Sequence, residues 1–314
     1  MLRVSDRARS FGARAEAYER FRPGYPAELV GTVAAYAGRA PRTALEIGAG
    51  TGKATRLFAA HGVAVTATEP DGAMLAELRR RVPPHVRTVQ AAFEDLAGPR
   101  DLPDPRPDAG GQGAEGSGEG GEGAGGTGDG GDGGEGAGGT GDGGGAVALT
   151  TYDLVYAAAA LHWTSPHGRW ARVAALLRPG GVFACFGGPV RLADSAVEEA
   201  VRTARAPFLD SDDVPSPDGT PPDHALQWPG TELRRSPWFT DVEQTVLPRH
   251  VTMTAADYLG HLSTISAYLL LPAPERRSAF RAIARVLPAT VDLTADIHTH
   301  LARRVPTPHD RPGG

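Results

Sequence analysis

Residues 43–60, TALEIGAGTGKATRLFAA, carry the clearest indication of the fold. The mostly apolar beginning of this stretch ends in glycines, which is typical of a buried strand in a parallel sheet. The segment that follows, KATRLFAA, has helical spacing, and Gly62 is placed to end that helix. A strand that enters a helix through a glycine-rich turn is the first half of a βαβ unit.

Strand-like and helix-like segments continue to alternate after this stretch. They are VAVTATEP (63–70), DGAMLAELRRRV (71–82) with Asp71 as the helix N-cap, VRTVQAAF (86–93), YDLVYAAAA (152–160), RWARVAALLRPGG (169–181) and GVFACFGG (181–188). This order predicts an α/β fold, with a parallel sheet and helices on both faces.

The pattern changes beyond residue 189. We predict a helix over 193–209, a Pro- and Asp-rich loop or lid over 210–233, a strand over 241–253, two helical stretches over 255–270 and 274–287, and a last strand over 291–302. We expect one domain spanning 1–308, in which 190–289 holds lid and cap elements, and a frayed tail at 309–314.

A glycine-rich tract separates two of the predicted strands. Residues 109–146 contain an almost perfect repeat of GGEGAGGTGDGGD. Such a composition predicts disorder because the segment cannot bury an apolar core. Since the flanking strands belong to one predicted sheet, the tract is interpreted as an insertion between the third and fourth strands of a single domain.

Composition excludes several classes of function. The 314 residues carry a formal net charge of -5, and the tract supplies seven acids and no bases, so the remainder is nearly neutral and no nucleic-acid partner is expected. No apolar run approaches the ~20 residues of a membrane helix, and the N-terminus lacks the apolar region of a secretory signal. Cys185 is the only cysteine, which excludes an internal disulfide and favours a cytoplasmic location.

The turn Glu46-Ile-Gly48-Ala-Gly50-Thr-Gly52 carries the chemistry. A dinucleotide-binding turn needs glycine at position 53, and a P-loop needs glycine at 47 and Ser or Thr at 54. Position 53 is Lys, 47 is Ile and 54 is Ala. The remaining pattern, E-x-G-x-G-x-G, resembles motif I of the class I S-adenosylmethionine-dependent methyltransferases.

The resemblance extends along most of the chain. YDLVYAAAALHW (152–163) and LLRPGGVFA (176–184) are similar to later motifs of that family. FGARAEAYERFRPGYP (11–26), HLSTISAYLLLPAPERR (261–277) and the end of the chain resemble the trans-aconitate-methyltransferase-like small-molecule subgroup. The resemblance implies a Rossmann-like doubly wound, mostly parallel seven-stranded sheet with N-terminal and C-terminal cap helices. It also implies a small-molecule substrate.

S-adenosylmethionine carries a cationic amino group and a sulfonium, so the carboxylate of Glu46 beside the glycines suits it. Glu69, at the end of the second strand, is placed to accept the ribose hydroxyls. The remaining cofactor residues follow from the resemblance. It places Met74, Phe93 and Glu94 around the adenine and Ala157 in the same site, and it places Tyr18 and Arg22 over the methionyl end.

His162 and Trp163 follow the fourth strand, where the methyl group would be presented. His162 is a candidate general base, because an ordinary imidazole titrates near pH ~6.5, although the pair can equally shape the pocket. Trp163 is a candidate wall of the substrate site.

Other functions were weighed against this one. The scattered histidines His224, His250, His261, His298 and His300 do not predict a metal site. A catalytically inactive S-adenosylmethionine-binding or regulatory protein on the same fold is the alternative, and a nicotinamide-dependent oxidoreductase is disfavoured by the glycine spacing. The sequence does not distinguish a monomer from a homodimer, and it does not identify the methyl acceptor.

Overall fold

The computed structural model describes residues 15–96, 150–213 and 215–306. Its helices are α1 (Ala15–Phe21), α2 (Glu28–Ala37), α3 (Lys53–Ala60), α4 (Gly72–Arg81), α5 (Arg169–Leu176), α6 (Ser195–Arg205), α7 (Gly230–Arg235), α8 (Ala255–Leu262), α9 (Ser266–Leu269) and α10 (Ala273–Val286). Its strands are β1 (Thr43–Ile47), β2 (Ala64–Thr68), β3 (Arg87–Val89), β4 (Tyr152–Ala158), β5 (Leu177–Gly187), β6 (Arg191–Leu192), β7 (Phe239–Leu247), β8 (His250–Thr254), β9 (Thr290–Thr294) and β10 (Ile297–Arg304). Single 3₁₀ turns occupy Phe93–Asp95 and Leu161–Trp163.

Seven strands form the main sheet in the order β3-β2-β1-β4-β5-β10-β7. The pairs from β3 to β5 are parallel, and β10 runs antiparallel to both β5 and β7. The order reverses between β1 and β4, which is the switch point where open α/β sheets bind ligands. The predicted Rossmann-like, mostly parallel seven-stranded fold is thereby confirmed.

Alternate residues of the central strands serve the two faces of the sheet. On β4, Leu154 and Tyr156 pack with Phe58 and Leu75 from α3 and α4. Their neighbours, including Val155, pack on the opposite face with residues of α5. Both layers are almost fully buried, as expected for a parallel sheet covered on both sides.

The structure confirms two predicted helix ends, the N-cap at Asp71 and the glycine at position 62. The carboxylate of Asp71 accepts hydrogen bonds from the backbone N–H groups of Ala73 and Met74, both at 2.9 Å, so the predicted N-cap is confirmed. Gly62 follows α3 with φ at +81°, which is the left-handed conformation expected of glycine after a helix end.

Two predictions about the C-terminal part were wrong. The single strands expected over 241–253 and 291–302 are each two strands, and β6, β8 and β9 form a separate antiparallel sheet. The breaks coincide at Arg249 and Asp296, where the Arg249 N–H donates to Asp296 Oδ1 at 2.9 Å and the Ala295 N–H donates to the Arg249 carbonyl at 2.8 Å. The predicted strand over 86–93 is shorter, because it becomes a 3₁₀ turn at Phe93.

The second sheet and four helices, α6 and α8 to α10, form a cap with its own apolar core. The tract at 109–146 and the tail at 309–314 lie outside the described residues. The strands that flank the tract, β3 and β4, belong to the same sheet. Within the described ranges, no helix is both long and apolar enough to cross a membrane.

Candidate active site

A cleft opens at the carboxyl ends of β1, β2, β4 and β5, with the glycine turn as its floor. Gly48, Gly50 and Gly52 all have positive φ, at 64°, 57° and 87°. Gly48 and Gly50 line the cleft, and a Cβ at Gly50 would meet only open space. Gly52 lies instead against Leu78, where a Cβ would be 2.4 Å from its methyl group. The third glycine therefore shapes the turn and does not line the cleft.

Glu46 is a fully buried acid that lines this cleft. Its Oε2 accepts hydrogen bonds from the hydroxyls of Thr55, at 2.5 Å, and Tyr156, at 2.9 Å. Its Oε1 has no hydrogen-bond partner among the described residues. Burial raises the pKa of Glu46 to about 8, and the hydroxyl hydrogen bonds oppose that rise. A cation brought into the cleft would therefore find an acid with one free oxygen.

Glu69 braces the turn from the end of β2. Its Oε2 accepts from the Gly50 N–H at 2.8 Å, and its Oε1 accepts from the Asp71 N–H at 3.0 Å. Burial raises its pKa to about 7, against the lowering effect of these two hydrogen bonds. Each carboxylate oxygen has a second lone pair, so Glu69 can accept ligand hydroxyls while it holds the turn.

The predicted adenine residues lie on the same side of the cleft as Glu69. Met74, in the first turn of α4, and Phe93 are buried and line the cleft. Glu94 lines it as well, and its carboxylate accepts from the Ser165 N–H at 2.6 Å. This hydrogen bond joins the turn after β3 to the loop after β4.

The N-terminal helix α1 brings Tyr18 to the cleft, and Arg22, directly after the helix, lines the cleft as well. The Arg22 guanidinium donates to the hydroxyl and carbonyl of Thr264, at 2.8 and 3.2 Å. On the other side of α1, the Glu19 carboxylate accepts from Thr51 Oγ1 at 2.6 Å and pairs with Arg56 at 2.7 Å. The helix is thus fixed both to the glycine turn and to the cap.

The loop after β4 carries His162 and Trp163, the two residues predicted on the acceptor side, and only one of them lines the cleft. Trp163 lines the cleft, whereas His162 is not among the residues that do. Burial, together with Arg22 and Arg169, lowers the pKa of His162 to about 4. Arg169 fixes this loop by donating to the hydroxyl and carbonyl of Thr164, at 2.9 and 2.8 Å.

Ala157 is also absent from the cleft lining. It lies in the core on the α5 face of the sheet, and the next residues, Ala158 and Ala159, reach the cleft instead. Ala159 has φ at 53°, an uncommon value for a residue with a Cβ that is typical of strained functional turns.

Sequence reasoning missed Tyr25, Arg249 and Asp296, which line the cleft as well. Tyr25 comes from the segment between α1 and α2, while Arg249 and Asp296 come from the two breaks in the C-terminal strands. The R-P-G-Y-P run that contains Tyr25 carries a signal only through the family resemblance. No local signal distinguished Arg249 or Asp296.

The donor set suits S-adenosylmethionine better than a nucleotide phosphate. The Oε1 of Glu46 is a buried acceptor without a partner among the described residues, and it lies inside the cleft. An ammonium group can donate to it and favours its ionised form, whereas a phosphate can do neither. The open approach above Gly50 leaves room for a ligand against the backbone. Among the described residues, no group of three or more His, Cys, Asp or Glu is arranged to hold a metal ion.

Comparison with known proteins agrees with this geometry. The chain matches the methyltransferase domain family over residues 18–212. Uncharacterized methyltransferases of Mycobacterium tuberculosis strain H37Rv and of Mycobacterium bovis are each 39% identical to it over 89 residues, which are 28% of this chain and 35% of either relative. The alignment therefore spans about a third of the length of these curated relatives.

A solved structure shows the same fold. It is a protein from Anaeromyxobacter dehalogenans that is assigned as a type II methyltransferase, and it is 23% identical with a TM-score of 0.55 over 91% of this chain and 99% of that one. The family match and the fold confirm the class I resemblance and S-adenosylmethionine as the cofactor. The chain belongs to the methyltransferase domain family.

Proposed function

We propose that this chain transfers a methyl group from S-adenosylmethionine to a small molecule, and that the acceptor atom is a carboxylate oxygen. The observation that carries the proposal is the cleft itself, where a buried acid with a free oxygen adjoins a glycine turn at the switch point of the sheet. When bound, S-adenosylmethionine supplies an electrophilic methyl group. Glu46 and Arg22 hold its amino-acid end, and Glu69, Met74, Phe93 and Glu94 hold its adenosine.

Two features of the acceptor side support a carboxylate. Arg249 lines the cleft, as do Gly187 and Gly188. Its guanidinium donates from Nη1 to the carbonyl of Gly24 and keeps further N–H donors of the planar kind that carboxylates bind. His162, the candidate base, does not line the cleft. A carboxylate is already ionised at neutral pH, so it needs no base, and the residues around it have only to position it and exclude water.

Binding and turnover test the proposal separately. Isothermal titration calorimetry with S-adenosylmethionine tests the cofactor. Formation of S-adenosylhomocysteine with a panel of carboxylic acids, amines and phenols tests the acceptor. No binding at millimolar cofactor overturns the whole proposal. Binding with turnover on amines or phenols alone overturns the carboxylate.

Two variants test whether Arg249 binds the acceptor and whether His162 acts as a base. Arg249→Gln should raise the acceptor KM at least tenfold and leave the cofactor Kd within twofold. Arg191→Gln is the matched control, since Arg191 is exposed and paired with Asp213 outside the cleft. His162→Ala should leave kcat nearly unchanged, whereas a loss of kcat with unchanged cofactor affinity would restore His162 as the general base.

A further inference from the structure

Arg249 and Asp296 bring side chains of opposite charge to the same cleft. The Arg249 guanidinium donates from Nη1 to the Gly24 carbonyl, and Asp296 Oδ1 accepts from the Arg249 backbone N–H at 2.9 Å. Within residues 15–96, 150–213 and 215–306, neither side chain takes part in an ion pair, and Asp296 Oδ2 accepts no hydrogen bond. Both charged groups therefore keep hydrogen-bonding capacity for a ligand.

The backbone fixes the two residues where the main sheet meets the cap. Each lies at one of the coincident breaks in the C-terminal strands, and the Ala295 N–H donates to the Arg249 carbonyl at 2.8 Å. The Asp296 segment also packs closely on the end of β5, because a Cβ on Gly188 would lie 2.1 Å from the Asp296 carbonyl oxygen. The fold therefore positions both residues before a ligand binds, which lowers the free-energy cost of binding it.

This pair lies on the half of the cleft that faces away from the adenosine. The residues assigned to adenosine follow β2 and β3, whereas Asp296 directly precedes β10, which pairs with β5. In the order of the sheet, β1 and β4 lie between these two groups. Trp163 after β4 and Val190 after β5 line the cleft on the side of Asp296. The methyl acceptor would thus meet apolar walls, one cation and one anion.

Two charges of opposite sign that lack ionic partners are complementary to a zwitterion. A guanidinium binds a carboxylate. A hydroxyl group could donate to the carboxylate of Asp296, but only an ammonium group would also balance its charge. We infer that the methyl acceptor is an amino acid in its zwitterionic form, with its carboxylate on Arg249 and its ammonium on Asp296. This inference rests on the proposed function, because it takes a carboxylate as the group that is methylated.

The same pairing selects the atom that is methylated. A carboxylate oxygen of the amino acid attacks the methyl carbon, so an O–C bond forms while the C–S bond breaks and its electron pair stays on sulfur. The products are a methyl ester and S-adenosylhomocysteine, and no proton is released. An ammonium group held by Asp296 has no lone pair with which to attack. Asp296 is therefore a specificity-determining residue and does not act as a base.

Matched acceptors with and without an amino group test this inference. The substrates are the proteinogenic amino acids, each beside its desamino and hydroxy analogues, and the readouts are S-adenosylhomocysteine formation and mass spectrometry of the product. Asp296→Asn removes the charge and keeps an oxygen that can accept from the Arg249 N–H. The matched control is Asp292→Asn on β9, since the Asp292 carboxylate accepts from the Thr252 hydroxyl at 2.6 Å and Asp292 does not line the cleft.

The wild type should methylate at least one amino acid with a kcat/KM at least tenfold above that of its desamino and hydroxy analogues. Asp296→Asn should lower this kcat/KM about 10- to 100-fold, the usual effect of a hydrogen bond between charged groups. It should leave the desamino analogue and the cofactor Kd within twofold, and Asp292→Asn should change none of these values.

Three results would overturn the inference while the proposed function stands. They are equal or faster turnover of the desamino or hydroxy analogues by the wild type, no turnover of any amino acid by protein that binds the cofactor, and an equal loss on amino and desamino acids in Asp296→Asn. An N-methylated product overturns the carboxylate oxygen of the proposed function instead. Failure of the wild type to bind S-adenosylmethionine in calorimetry overturns the proposed function as a whole.

Discussion

Replacing Glu46 with Gln tests the electrostatics of the cleft most directly. With its pKa near 8, Glu46 is about nine-tenths protonated at pH 7 in the ligand-free protein. A cationic ligand prefers the ionised form, so binding must first deprotonate it. For one group, the apparent Kd scales as 1 + 10^(8-pH), which predicts a fall of roughly 50-fold between pH 6 and pH 8.

The same pKa sets the stability of the ligand-free protein. The pKa of Glu46 in the folded state lies above its ordinary value of 4.5. Between pH 4.5 and pH 8, the folded state therefore binds more protons than the unfolded state. Stability is therefore greatest below about pH 4.5 with respect to this group and declines as the pH rises toward 8. The full decline is of order 5 kcal/mol as an upper bound. Glu46→Gln removes the titration and retains an oxygen that can accept from Thr55 and Tyr156.

The assay is cofactor calorimetry and thermal unfolding of both proteins at half-unit steps from pH 6 to pH 8. Taking the ratio of wild-type to variant Kd at each pH cancels two other titrations. These are the titration of Glu69, whose pKa is near 7, and that of the ligand's own amino group. We expect this ratio to fall with pH, and the variant to be the more stable of the two near pH 8. A ratio that does not change between pH 6 and pH 8 would show that ionisation of Glu46 does not control cofactor binding.

Three further perturbations test the scaffold around the cleft. Glu19→Gln removes the charge that holds α1 to Arg56. In urea unfolding it should lower the free energy of unfolding by about 1–3 kcal/mol, whereas the control Glu28→Gln, at an exposed position, should not. Glu19→Gln should also weaken cofactor binding. Gly48→Ala places a Cβ 2.7 Å from Ala160 at a φ of +64°, so calorimetry should show at least a tenfold weaker cofactor. Gly31→Ala, in open space on α2, should instead be neutral or raise the Tm. Replacing 110–145 with a short turn should change the Tm and the cofactor Kd little, because loop closure entropy varies slowly with length, and a large loss of either would give the tract a role.

The sheet and the glycine turn could be predicted because their signals are local. The apolar runs, the glycines after β1 and the cap at Asp71 each specify the conformation of their own few residues. The same logic placed Glu46 and Glu69 in the cleft, since Glu46 lies one residue before the end of β1 and Glu69 directly follows β2.

The failures have a different physical origin. Tyr25 reaches the cleft by packing on Phe186, and Arg249 reaches it through a backbone contact with the Asp296 loop, 47 residues away. Such tertiary contacts leave no trace in a local pattern. His162 and Trp163 are neighbours in a 3₁₀ turn with ring centroids 4.5 Å apart, yet only Trp163 lines the cleft. A shift of one residue along β4 likewise decides that Ala157 is core while Ala158 lines the cleft.

Two buried ionisable residues, Arg169 and Glu46, differ in how fully the protein itself supplies their hydrogen-bond partners. Arg169 is 1% exposed, and its guanidinium is satisfied by Thr164 and by Glu232, whose carboxylate accepts at 3.0 Å. Glu46 is equally buried but keeps one oxygen unpaired and faces the cleft. A buried polar atom without a partner costs stability, and the free oxygen of Glu46 lies where a cationic ligand can ionise the acid and supply the missing partner. On this reasoning, Arg169 holds the loop after β4 in every state of the protein, whereas the carboxylate of Glu46 is completed only by the ligand. Saturating S-adenosylmethionine should therefore raise the Tm of the wild type more than that of Glu46→Gln, and an equal rise in both would assign Glu46 to the scaffold.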